Sequence, residues 1–229
     1  MFERSFSFAG IPLLAVSSDG RPRPTVLFYH GLHTDKETHR RELESLARRG
    51  FLALGVDAAG HGARRMPDLR GFVNRGPLLE QVAKLLRPTL CELPLLLDFL
   101  EAEGYGPFGL CGISFGGLLA YAVPQYEPRI RTISAILADP SWCQPYQQLE
   151  AYSSLRLLAW NGGVDQHVRA EPARDFLGHL RASCRQGRYE YREYAESDHF
   201  MRPQDWEDGW DRTLGWFEEG LSGAEDLDP

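Results

Sequence analysis

Residues 109 to 121 read GLCGISFGGLLAY, with one serine, Ser114, set between Gly112 and Gly116 in the pattern G-x-S-x-G. A serine hydroxyl becomes a nucleophile only when a neighbouring base takes its proton, and that base is usually a histidine oriented by a carboxylate. The pattern is short, and in a glycine-rich chain it carries little weight alone. It gains meaning where a strand enters the turn and a helix leaves it, because small flanking residues then let both elements close around a strained serine. Phe108 to Cys111 reads as a short buried strand, and Gly116 to Val123 as a helix ended by Pro124. The context is met.

A base and an orienting acid should lie on loops at the carboxyl ends of neighbouring strands, where parallel sheets carry their functional groups. The polar residues that follow predicted strands are His30, Asp57, Ser114, Asp139, Asp165 and His199. The chain order Ser, Asp, His is the one expected on such a sheet, and Ser114, Asp165 and His199 supply it. His199 sits in Glu196-Ser-Asp-His-Phe200, between the last strand and the last helix. Asp165 follows a strong strand in Trp160-Asn-Gly-Gly-Val-Asp. Its rival Asp139 precedes Pro140, and Asp-Pro is ordinary turn chemistry, so Asp165 is preferred. Asp198 is adjacent to His199 and should point away from it. The histidines at 30, 33, 39 and 61 lack the i, i+4 helical spacing and the carboxylate companion of a zinc site, so no metal is expected. No G-x-G-x-x-G or phosphate-binding loop occurs, and no cofactor is expected.

The elements that must position these residues alternate. Phe2–Phe8 and Ile11–Val16 bracket Ala9-Gly10 as a hairpin, and Thr25–Tyr29 is an unbroken apolar strand. Thr34-x-x-Glu37 has the pattern of a capping box, with helical spacing through Leu43, Leu46 and Ala47 to Arg49. Phe51–Val56 is a further buried strand, residues 57–75 a loop, and Leu78–Glu103 a helix that Pro88 and Pro94 should break or kink. Strands at Ile130–Leu137, Leu155–Trp160 and Tyr189–Tyr194 alternate with a helical or irregular stretch at 144–153 and helices at Glu171–Cys184 and Gln204–Glu219. This pattern predicts an α/β fold: a mainly parallel, doubly wound sheet with an antiparallel N-terminal hairpin. One domain over residues 1–220 and an acidic tail over 221–229 are expected.

With 229 residues, 43% of them hydrophobic, and a net charge of −7, the chain can bury a large core and offers nucleic acid no basic surface. A small soluble substrate is the expected partner; the oligomeric state is open. The N-terminal MFERSFSFAG lacks a basic region followed by a long apolar one, no apolar stretch reaches membrane-span length, and the four cysteines show no C-x-x-C spacing. The cytoplasm is the expected compartment, without contact with a membrane.

Taken together, His30-Gly31, Asp57-x-x-Gly60-His-Gly62, Gly112-Ile-Ser-Phe-Gly116, Asp165 and His199 make the chain resemble an α/β-hydrolase from about residue 24 to 219. The resemblance is to the small serine esterases of the dienelactone-hydrolase-like and prolyl-oligopeptidase-like branch. A dienelactone hydrolase proper carries cysteine at the nucleophile position, where this chain has Ser114. The resemblance implies hydrolysis of small carboxylic esters through an acyl-serine intermediate. A small peptidase or amidase of the same fold and a non-catalytic binding protein are the alternatives. Geometry and resemblance together imply an oxyanion hole from the backbone amides of Leu32 and Phe115. His30 and Asp57 are expected to brace their loops. Only residues 138–154 connect the sixth and seventh strands, so the cap over the site should be minimal. Trp142, with Tyr146 and Tyr152, and Met66, Leu69 and Phe72 from the 64–75 loop are the expected walls of a pocket for short acyl groups.

Overall fold

The computed structural model describes residues 1–21, 23–144 and 147–221. Eight strands form one sheet: β1 (Phe2–Phe8), β2 (Ile11–Ser17), β3 (Thr25–Tyr29), β4 (Leu52–Val56), β5 (Phe108–Ile113), β6 (Ile130–Ile136), β7 (Arg156–Gly162) and β8 (Arg188–Tyr194). Their order across the sheet is β1-β2-β4-β3-β5-β6-β7-β8. Ala9 and Gly10, both at positive φ (49° and 81°), make the two-residue turn that suits the right-handed twist of the β1–β2 hairpin. Strand β2 also runs antiparallel to β4, with Leu13 opposite Val56, and every pairing from β4 to β8 is parallel.

Strands β3, β4 and β5 are buried along their whole length, as parallel strands covered on both faces must be. Side chains alternate between two apolar layers: Leu27 and Tyr29 enter one, Val26 and Phe28 the other. The first layer is closed by α2 (Leu69–Val73), α3 (Leu78–Ala102), α4 (Phe115–Ala122) and α5 (Glu171–Ser183). The second is closed by α1 (Arg40–Arg48) and α6 (Pro203–Leu221).

Three expectations are corrected. Helix α3 runs unbroken across Pro88 and Pro94. Pro88 is exposed and Pro94 half-buried, while Leu85, Leu86, Leu90, Leu93, Leu96, Leu97 and Leu100 hold a continuous buried stripe on the other side. The Arg129 guanidinium donates to Pro94 O at 3.1 Å. Thr34 and Glu37 do not form a capping box: α1 starts only at Arg40, after His39. Thr34 Oγ1 instead donates to Gly31 O at 2.7 Å, and Asp35 accepts from Glu37 N at 3.0 Å. The 57–75 loop is not wholly irregular; it contains a 3₁₀ turn, Gly62–Arg64, and α2 capped by Asp68. The expected tail at 221–229 lies outside the described residues except for Leu221, which ends α6. Among the described residues no helix is long and apolar enough to cross a membrane.

Candidate active site

Ser114 stands between the end of β5 and the start of α4, with φ 53° and ψ −108°. A side-chain-bearing residue is strained there, and the turn is held by bonds on both sides. Ser114 N donates to Ile136 O (2.8 Å), Gly116 N to His30 O (3.0 Å) and Leu118 N to Ser114 O (2.9 Å). The flanking glycines are required by contact. A Cβ on Gly112 would lie 2.0 Å from Gly116 O, and one on Gly116 would lie 2.1 Å from Tyr29 O. Both obstacles are backbone, which cannot swing aside as a flexible side chain would.

His199 Nε2 lies 3.0 Å from Ser114 Oγ, and His199 Nδ1 lies 2.7 Å from Asp165 Oδ2. The carboxylate can only accept, so Nδ1 carries the proton and Nε2 presents its lone pair to the serine hydroxyl. The Asp165 side chain is fully buried. Its second oxygen, Oδ1, accepts from His167 N (2.7 Å) and Val168 N (2.9 Å). The turn that carries His199 is braced from α6: Ser197 Oγ donates to Asp205 Oδ2 (2.6 Å) and accepts from Arg202 N (3.1 Å). Asp139 stands apart from this relay and accepts from Ser141 N at 2.8 Å, as a turn aspartate does. Asp198 accepts from Phe200 N at 2.9 Å.

The amide of Phe115 opens α4, where the first N–H groups of a helix have no partner within it. Leu32 follows Gly31, whose carbonyl is pinned by Thr34 Oγ1 and by His30 Nδ1 at 2.8 Å. His30 Nε2 accepts from Ala58 N at 3.2 Å, and burial lowers the His30 pKa, so the ring is a neutral brace between two loops. Asp57 braces too, accepting from Lys36 N (2.9 Å) and Ala63 N (2.8 Å). His61, from the same sequence motif, donates from Nδ1 to Ala59 O (3.0 Å) and packs 4.8 Å from the Phe115 ring. Its Nε2 is buried with no partner among the described residues, and burial pushes its pKa down to about 4.

A cavity of about 1270 Å³ crosses the carboxyl edge of the sheet over Ser114 and His199. On the α3 and α4 side its walls are Leu32, Leu78, Val82 and Leu118; on the α1 and α6 side they include His39 and Trp206. The expected walls are corrected here, since neither Met66, Phe72 nor Trp142 lines it. All three pack against the first apolar layer instead, and Trp142 Nε1 donates to Leu118 O at 2.7 Å. Leu69 and Tyr152 are core residues, with Tyr152 donating to Tyr121 O at 2.5 Å, and Tyr146 lies outside the described residues. The walls that sequence reasoning missed come from the first turns of α1 and α3, from Leu118 and Trp206 on α4 and α6, and from Phe200 beside His199. Their only signal was position, beside the loops that follow β3, β4, β5 and β8. Among the described residues no three His, Cys, Asp or Glu side chains converge to hold a metal ion.

Residues 26–228 match the sequence model of the alpha/beta hydrolase family. The chain belongs to that family. Among its relatives, esterase YjfP of Escherichia coli (strain K12) is 28% identical over 142 residues, or 59% of this chain and 54% of that protein. The hydrolase chain spans about half the length of the curated relatives it matches. The crystal structure of TT1662 from Thermus thermophilus aligns with a TM-score of 0.76 at 26% identity, covering 95% of this chain and 99% of that one. Dienelactone hydrolase from Anabaena variabilis ATCC 29413 aligns at 0.66 and 20% identity, over 96% and 97% of the two chains, a likeness of fold.

Proposed function

We propose that the chain is a serine hydrolase that cleaves small carboxylic esters through an acyl-Ser114 intermediate. The observation that carries this reading is the continuous relay Ser114 Oγ–His199 Nε2 and His199 Nδ1–Asp165 Oδ2, at 3.0 and 2.7 Å, opening on a cavity. Kinship with a named esterase supports it.

Ser114 Oγ attacks the ester carbonyl carbon as its proton passes to His199 Nε2. The buried Asp165 carboxylate stabilises the imidazolium that forms. Negative charge gathers on the former carbonyl oxygen, which the Leu32 and Phe115 amides receive; such preorganised donors are worth about 10²–10³ each in rate. On collapse of the tetrahedral adduct the carbon–oxygen bond to the alcohol breaks, and His199 Nε2 returns its proton to that oxygen. Water repeats the sequence against the acyl-enzyme and releases the acid.

A fluorophosphonate followed by mass spectrometry tests the assignment. One adduct on Ser114, and loss of p-nitrophenyl acetate turnover in a folded Ser114→Ala protein, are expected. An adduct elsewhere, or turnover by Ser114→Ala, refutes it. Faster cleavage of matched anilides than of esters would move the substrate class to amides.

A further inference from the structure

Phe200 is 81% exposed, yet it is not a frayed residue. Its amide is bound by Asp198 Oδ1 at 2.9 Å, and Met201 after it is buried at φ 56° with its own amide on Asp198 O at 3.2 Å. The backbone thus holds a large apolar ring in solvent. That ring lines the cavity above Ser114. It meets His199 edge-on at 6.1 Å between centroids and His167 at 6.4 Å, while His167 meets His199 at 5.5 Å. Three rings therefore form a corner whose inner member is His199.

Which part of an ester faces this corner follows from the proton path and rests on the function proposed above. His199 Nε2 must reach both Ser114 Oγ and the departing alcohol oxygen, so the alcohol lies on the side of His199. The carbonyl oxygen points to Leu32 N and Phe115 N, leaving the acyl chain the apolar arm of Leu32, Leu78, Val82 and Leu118. A cavity of about 1270 Å³ exceeds the roughly 300–1,000 Å³ that suffices for a drug-sized ligand, so neither arm need be empty when the other is filled.

We propose that Phe200, with His167, is the specificity element for the alcohol, and that the esters this protein serves carry an aromatic ring on that side. An aromatic alcohol stacks edge-to-face or offset with such a corner and covers Phe200, whereas a linear alkyl alcohol leaves most of it wet.

The test compares 2-phenylethyl butyrate with n-propyl butyrate, two primary-alcohol esters of one acid with similar intrinsic leaving ability. Wild-type kcat/KM should favour the phenylethyl ester by about tenfold. In Phe200→Ala the ratio should fall to about twofold or less through a larger loss on the phenylethyl ester, with the preference among p-nitrophenyl acyl lengths unchanged. An exposed ring can be removed without opening the core, and a melting curve equal to wild type checks this. A wild-type ratio near one overturns the inference, as does a ratio that survives in Phe200→Ala. A shift in acyl preference overturns it too, by putting the acyl chain at Phe200. In each case fluorophosphonate labelling of Ser114 and p-nitrophenyl acetate turnover persist, so the underlying reading stands. If wild type shows neither of those, that reading fails and this inference with it.

Discussion

Replacing Asp165 with asparagine tests the relay at its buried end, and the structure dictates how the new side chain must sit. Asp165 Oδ1 accepts from His167 N at 2.7 Å and Val168 N at 2.9 Å, both donors only. The amide oxygen of the introduced asparagine must therefore occupy the Oδ1 position, which turns its NH₂ toward His199 Nδ1. A donor facing Nδ1 forces that nitrogen to accept, and the ring proton moves to Nε2, 3.0 Å from Ser114 Oγ. The imidazole can then no longer take the serine proton. A tautomer fixed this way in a serine–histidine–aspartate relay costs about 10⁴ in kcat. Stability should change little, because both amide bonds survive and a single charge-assisted bond becomes a neutral one, a loss of about 1 kcal/mol. Asp165→Ala, by contrast, removes both bonds from the part-buried His167 and Val168 amides, at about 0.5–1.5 kcal/mol each, and should lower the melting temperature visibly. The assay is kcat on p-nitrophenyl acetate beside a thermal melt, with Asp139→Asn as control because Asp139 only caps Ser141 N. Asp165→Asn within tenfold of wild type, or Asp139→Asn as the inactive protein, would refute the reasoning.

Other consequences are as direct. Ser114→Gly should melt above Ser114→Ala, by about 1 kcal/mol, since relief of roughly 1–3 kcal/mol of strain at φ 53° outweighs the glycine entropy of about 0.4–1 kcal/mol; equal stabilities would show that the turn is unstrained. Gly116→Ala drives a Cβ to 2.1 Å from Tyr29 O and should cost at least about 3 kcal/mol in urea unfolding, so a wild-type midpoint would contradict the packing. His61 has its pKa lowered from 6.5 to about 4, so the folded state binds fewer protons than the unfolded chain between those values. Its contribution is complete above pH 6.5 and is lost as pH falls toward 4, by about 3 kcal/mol. Urea midpoints across this window should flatten in His61→Gln, and an unchanged slope would sink the assignment.

How far the sequence reached depended on what each residue is asked to do. The meeting of Ser114, Asp165 and His199 was legible because they stand on loops that follow strands of a parallel sheet, where topology alone brings loops together. Gly112 and Gly116 were legible because close backbone approach admits nothing larger. The pocket walls were not. Met66, Phe72 and Trp142 are apolar residues on loops near the site, but an apolar pattern reports burial against the core and does not report which side of a loop faces a cavity. All three turned inward to the first layer. Leu78 and Phe200 are the reverse case: at 55% and 81% exposure they look misplaced by pattern, and both line the cavity. Pro88 and Pro94 misled for a related reason, since local propensity favours a break in α3 while a buried leucine stripe seven residues strong keeps it continuous.

Three of the places where local rules fail lie at or beside the candidate site. Ser114 holds a backbone conformation that few side-chain-bearing residues adopt, His61 keeps a buried nitrogen without a partner among the described residues against the Phe115 ring, and Phe200 shows its face to water. Each is unfavourable on its own, by about 1–3 kcal/mol for the strain and a similar amount for the unpaired nitrogen. A fold selected only for stability would have no reason to set two of them on the wall of one cavity and the third against Phe115, which also lines it, because a glycine, a leucine and a polar residue at these positions would remove all three. Their gathering at the carboxyl edge of the sheet has a physical reason if the serine must project from its turn, the Phe115 amide must stay aimed at an oxygen, and the aromatic corner must be free to receive a ring. The same logic explains the bracing around them. Glycine contacts lock β5 to α4, the neutral His30 ties the Leu32 loop to Ala58, and Asp205 ties the His199 turn to α6. Positions that are costly to hold need neighbours that leave them no alternative.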